Sequence, residues 1–106
     1  MFIENIYKYL PDSLQNELFQ LLANSEQVKI ERIVSNGHAS SIDDWYDQDK
    51  NEWVILLSGS AGLQIEGEKD IIHLLPGDYI LLPAHLKHRV EYTDSNCVSI
   101  WLAIHY

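Results

Sequence analysis

The second half of the chain is cut into apolar runs too short to be anything but strands. Residues 52–58, 61–66, 70–75, 78–82, 88–93 and 97–105 are rich in Val, Ile, Leu, Tyr and Trp. The breaks between them carry Gly59-Ser60-Ala61-Gly62, Gly67, Pro76-Gly77, Pro83 and Asp94-Ser95-Asn96, residues that supply turns rather than continue a ladder. No 3.6-residue apolar period runs through this region. Short strands punctuated at roughly ten-residue spacing predict an all-β sandwich or barrel.

Upstream the pattern is mixed. Val28, Ile30, Ile33 and Val34 read as a strand closed by the turn Ser35-Asn36-Gly37. Before it, Leu10-Pro11-Asp12-Ser13 reads as a helix start, with Asp12 as cap and Gln15 placed as in a capping box. Leu14, Leu18, Leu21 and Leu22 then share one helical face, which predicts a single amphipathic helix over about residues 13–24. The expected organisation is one domain over residues 1–106, with a helical segment to about 25 and a barrel from about 26, because 106 residues cannot build two adequate cores. Gly37–Asn51 is a polar connection holding Asp43, Asp44, Asp47, Asp49, Trp45 and Tyr46. It is either a lid or ligand loop, or a solvated crossover.

Two stretches carry chemistry: Glu52-Trp53-Val54-Ile55-Leu56-Leu57-Ser58-Gly59, and Gly77 through Pro83 to His88. Each places one metal-competent side chain, Glu52 or His88, at the start of a strand. Their spacing resembles the two motifs of the cupin family, Gly-x(5)-His-x-His-x(3,4)-Glu-x(6)-Gly and Gly-x(5)-Pro-x-Gly-x(2)-His-x(3)-Asn. Glu52 is followed by six residues and Gly59, and Gly77 by five residues and Pro83, with His88 five beyond. The motif histidines fall on Trp45 and Asp47 when four residues are counted back from Glu52, His85 replaces the motif glycine, and Tyr92 replaces the asparagine. The resemblance covers about residues 37–105 and implies a jelly-roll or Greek-key barrel.

The resemblance also implies a site at the barrel mouth. In a strand alternate residues share a face, so Glu52 goes with Val54 and Leu56, and His88 with Val90 and Tyr92. If those faces are interior, Asp47, Glu52 and His88 form an oxygen and nitrogen set suited to Fe, Mn or Zn. Gln48, reached by the three-residue form of the motif spacing, and His85 are further ligand candidates, and Trp45, Tyr46 and Tyr92 are candidates for contacting a ligand. The alternative is a metal-free polar cluster in which Arg89 or Arg32 pairs the carboxylates. His38, His73 and His105 are read as structural or exposed, and Cys97 as a buried, inert thiol.

Three functional classes follow. One is an oxygenase- or isomerase-type enzyme using a divalent metal, as the family resemblance implies; the second is a non-catalytic metabolite-binding or sensing barrel without metal; the third is a structural dimer with an unused cavity. Sixteen acidic against seven basic residues, a net charge of −9, argue against nucleic acid and for a cation or a neutral or cationic small molecule. A lone cysteine, the lack of a basic region before a long apolar run at Met1–Lys8 and the absence of a span-length apolar stretch set the expectation of a cytoplasmic protein without membrane association. Strand 52–58 is apolar on both faces, so Trp53, Ile55 and Leu57 need a cover, and a homodimer is the expected one, with the helix as its rival.

Overall fold

The computed structural model describes residues 1–11 and 14–106. Eight strands follow in order: β1 (Leu18–Asn24), β2 (Lys29–Ser35), β3 (Glu52–Ser58), β4 (Ala61–Ile65), β5 (Ile72–Leu74), β6 (Tyr79–Leu82), β7 (His88–Thr93) and β8 (Ser99–His105). They form two antiparallel sheets, β1-β2-β8-β3-β6 and β5-β4-β7. Alternation dictates what lies between them. Ile33, Val54, Leu56, Leu63, Leu82, Trp101 and Ala103 point inward and make one buried core.

Punctuation residues fix where strands stop. Gly59 adopts φ +83°, and a Cβ there would collide with Ser99, so the turn out of β3 requires glycine twice over. His85, at the motif glycine, also takes a left-handed conformation, φ +66°. Gln48 O accepts from its backbone N–H (2.8 Å), which ties the 83–87 turn to the 37–51 connection.

The expected helix over 13–24 is not formed. Leu18–Asn24 is an edge strand paired antiparallel to β2, with a bulge between Leu21 and Ala23. Asp12 and Ser13, the proposed cap, lie outside the described residues, and among the described residues no helix occurs. The leucine spacing that suggested a helix is overridden by pairing: Phe19 stands opposite Ile33 and reaches the interior, a period-two role that the flanking leucines hide. The described residues thus contain no helix long and apolar enough to cross a membrane.

Without that helix, the outer face of the larger sheet is covered differently. At β2, buried Arg32 donates to Gln20 Oε1 (2.6 Å) and to the carbonyls of Ile6 (3.1 Å) and Lys8 (2.7 Å), which lays the N-terminal segment against this strand. Toward β3 and β6 the face stays open. Trp53, Ile55 and Leu57 are half-buried, while Tyr79, which stacks on Trp53, and Leu81 are exposed.

Candidate functional site

The mouth of the barrel is organised by a pairing between the 37–51 connection and β7. Tyr46 and His88 bridge antiparallel, Tyr46 N–H donating to His88 O (2.7 Å) and His88 N–H to Tyr46 O (3.2 Å). Residues directly opposite in such a pair point to the same side. Tyr46 therefore faces inward with His88, Gln48 two residues on does the same, and Trp45 and Asp47 turn out.

That register separates the expected ligand candidates. The Asp47 carboxylate is well exposed and lies 3.1 Å from His85 Nδ1, outside the cavity, so His85 is placed as its partner and not as a companion of His88. Trp45 sits under the Arg89 guanidinium, 5.0 Å from the ring centroid. Tyr92 faces away from the cavity, its hydroxyl 2.7 Å from His73 Nδ1. The three-residue count from Glu52, which lands on Tyr46 and Gln48, describes the interior, and both residues line it.

Glu52 and His88 do converge. Glu52 stands between Leu82 of β6 and His105 of β8 in register, and its Oε1 lies 3.5 Å from His88 Nε2 across the gap between the sheets. His88 Nδ1 faces Leu86 O at 3.0 Å. Burial opposes a charge on this ring, yet the Glu52 and Leu86 oxygens outweigh it and the His88 pKa is raised.

A second buried pair stands beside the first. His105 Nε2 lies 2.8 Å from Glu31 Oε1, and His105 Nδ1 lies 3.0 Å from Gln48 Oε1. Thus His105 is neither exposed nor incidental. The sequence carried a signal for both residues: Glu31 alternates with Ile33 and Ser35, and His105 with Trp101 and Ala103, all on inward positions. Glu17 also lines the cavity and accepts from Ser35 Oγ (2.6 Å).

The arginines expected to pair these carboxylates do not reach them. Arg89 pairs with Glu91 (2.9 Å) and donates to Ile42 O, while Arg32 serves the opposite face of β2. Imidazoles do the pairing instead. Cys97, expected to be buried, is exposed in the turn after β7, where a hydrogen bond to Asp94 pushes its thiol pKa up.

The resulting cavity has a volume of about 60 Å³, room for about four waters or a molecule of four or five non-hydrogen atoms. Its floor is apolar, from Val54, Leu63, Leu82 and Trp101; its upper ring is polar, from Tyr46, Gln48, Glu52, His88, Glu31 and His105. Burial, with help from the charges of Glu17, Asp44 and Glu52, raises the Tyr46 pKa and keeps the phenol protonated. Two polar atoms of the lining are buried without a hydrogen-bond partner, Glu52 Oε1 and Trp101 Nε1. Phe19, Glu31, Gln48 and His105 are also one wall of a larger open groove of about 620 Å³ that includes Lys29, Asp49 and Lys50.

Comparison with solved structures places this architecture. A protein of Ralstonia eutropha JMP134 named "putative mannose-6-phosphate isomerase" is 42% identical, with a TM-score of 0.95 over 99% of this chain and 97% of that one. A cupin superfamily protein of Desulfitobacterium hafniense DCB-2 is 22% identical, TM-score 0.73, over 91% of this chain and 82% of that one. An RmlC-like cupin of double-stranded β-helix fold from Methanocaldococcus jannaschii is 18% identical, TM-score 0.70, over 99% and 92%. The chain has the barrel fold of these cupin proteins. No family model and no curated protein matches its sequence. Within this fold, Gly59 and Pro83 keep the motif turns, while Tyr46 and Gln48 stand where the motif has histidines.

Proposed function

We propose that this cupin-fold protein binds a small polar molecule in the barrel cavity, with Glu52 and His88 as the pair that engages it. The observation that carries the reading is Glu52 Oε1: it is buried at the polar end of a cavity, and His88 Nε2, 3.5 Å away, leaves it without a hydrogen bond. A buried carboxylate oxygen without a hydrogen bond costs stability in a finished structural core, and a ligand hydrogen bond offsets that cost.

A resident divalent metal does not fit the donors as they are arranged. Among the described residues no three His, Cys, Asp or Glu side chains are grouped to hold one. His105 is committed through both nitrogens, Gln48 through its oxygen, Glu31 to His105 and Lys29, and Glu17 to Ser35, which leaves Glu52 and His88 as two donors where a transition metal held by protein needs about three. The metal-free pocket is therefore the preferred form of the function, with Fe, Mn or Zn as its rival. In an enzymatic form, a carboxylate and an imidazole 3.5 Å apart would move a proton between neighbouring carbons of a bound carbonyl compound, an isomerase-type reaction. In a sensing form, binding alone is the function.

The name of the 42% relative suggests a hexose phosphate, and the cavity argues against that substrate here. No Lys or Arg lines it, and its volume falls far below the roughly 300 Å³ of sites that enclose larger ligands. We further propose a homodimer through Trp53, Ile55 and Leu57, supported by the open sheet face around Tyr79 and Leu81 and by the fully exposed Phe2 and Ile3. Native mass spectrometry and elemental analysis of untagged protein test the reading. A co-purifying organic ligand lost in Glu52→Gln is expected; stoichiometric metal with no organic ligand would replace it with the metal form.

A further inference from the structure

Trp101 carries the one polar side-chain atom on the floor of the cavity. It lies two inward positions from His105 on β8, with Ala103 between, and stands in register with Ile33 of β2 and Leu56 of β3. The residue is 3% exposed, and its indole Nε1 is buried without a hydrogen-bond partner. An indole N–H can only donate, and buried ones ordinarily find an acceptor. The exception therefore needs a cause.

The side-chain carboxylates and the amide oxygen of the lining are engaged elsewhere. Glu17 accepts from Ser35, Glu31 and Gln48 are paired with His105, and Glu52 faces His88. Water suits the position poorly. An enclosed water makes about two to four hydrogen bonds, and the side chains around the indole on this floor, Val54, Leu63 and Leu82, offer none.

A ligand atom placed there must accept without also donating. A hydroxyl or an amine would bring a proton that meets no acceptor among these side chains, and a carboxylate would bury its charge on a single hydrogen bond. A carbonyl oxygen accepts, carries no proton, and has carbon behind it to lie against the apolar floor.

We propose that the cavity takes a small aldehyde or ketone, its carbonyl oxygen accepting from Trp101 Nε1–H and its carbon groups lying on Val54, Leu63 and Leu82. This rests on the binding reading above, in which Glu52 and His88 engage the ligand from the polar end, and it adds the chemical class of the ligand and the residue that selects it. The 60 Å³ volume limits the carbonyl compound to about five non-hydrogen atoms.

The test compares three probes of equal size on the full chain: acetone, propan-2-ol and 2-chloropropane, followed by NMR at the Trp101 indole N–H and at the methyl groups of Val54, Leu63 and Leu82. Acetone is expected to move the indole N–H signal downfield and to bind about tenfold tighter than either other probe. Trp101→Phe removes the donor and is expected to abolish that preference while 2-chloropropane still binds. The indole signal is read in the wild-type chain, so the outcome does not hang on the folding of the variant. If propan-2-ol matches acetone in affinity and indole shift, the carbonyl class is wrong. If all three move the methyl signals alike and leave the indole N–H in place, the cavity is a binding site that Trp101 does not read, and the proposal is overturned. If no probe moves any of these signals in a folded protein, the binding reading fails with it. A water cross-peak at the indole N–H that persists with acetone bound would assign the donor to ordered water and overturn the proposal as well.

Discussion

His105 and Glu52 are register partners on adjacent antiparallel strands, both directed inward, yet each forms its ion pair with a different residue. His105 turns to Glu31 on β2 and Glu52 to His88 on the opposite sheet. Four titratable groups therefore lie in one band across the barrel mouth, carboxyl groups alternating with imidazoles.

Breaking the inner pair should be expensive. His105→Ala leaves buried Glu31 with only the half-exposed Lys29, 3.8 Å away, and is expected to cost about 3 kcal/mol in urea unfolding. The double change Glu31→Leu with His105→Leu should recover most of it, since neither charge remains. A single substitution costing under about 1 kcal/mol would mean that water reaches Glu31 freely.

Stability should depend on pH through His88. Its pKa is raised in the folded protein from an ordinary value of 6.5. Its stabilising contribution is thus complete below about pH 6.5 and is lost as pH rises through the higher folded value. His88→Gln is expected to flatten the fall in unfolding free energy between about pH 6 and 8. Equal slopes in the two proteins would reject the pairing with Glu52.

Removing only the Glu52 charge isolates the cause. Glu52→Gln takes away the carboxylate charge that favours the imidazolium, while burial stays. NMR titration of the His88 ring should then give a pKa below that of the wild type.

The register at Tyr46 can be tested by comparing neighbours. Asp47→Ala removes an exposed contact and is expected to change stability by no more than about 0.5 kcal/mol. Gln48→Leu leaves His105 Nδ1 without an acceptor and should cost about 1–3 kcal/mol. The reverse ranking would place Asp47 inside.

Much of this was readable in the chain. The strands from β3 to β8 follow the turn residues closely, because a glycine such as Gly59, held by positive φ and by Ser99, leaves the backbone little choice. The convergence of Glu52 and His88 followed from motif spacing and alternation. The misread helix has a different origin: β1 is an edge strand whose form is set by pairing with β2, a non-local contact that leucine spacing does not encode. The inward turn of Tyr46 and Gln48 depends likewise on the bridge to His88, forty-two positions away in the sequence (88 − 46). His105 was missed because a histidine without a paired partner nearby in sequence looks like any other; its partner, Glu31, lies 74 residues back.

For the open sheet face, sedimentation at micromolar concentration is expected to give a dimer, and Ile55→Lys a folded monomer. A wild-type monomer near 12.3 kDa would show that the face tolerates water.

Phe19 belongs to an edge strand, is half exposed, and separates the cavity from the outer groove together with Glu31, Gln48 and His105. The partition there is one side chain thick. Trimming it with Phe19→Ala should act on traffic more than on affinity: entry and escape would both quicken, and their ratio would change little, so residence time becomes a property of one aromatic ring at the rim.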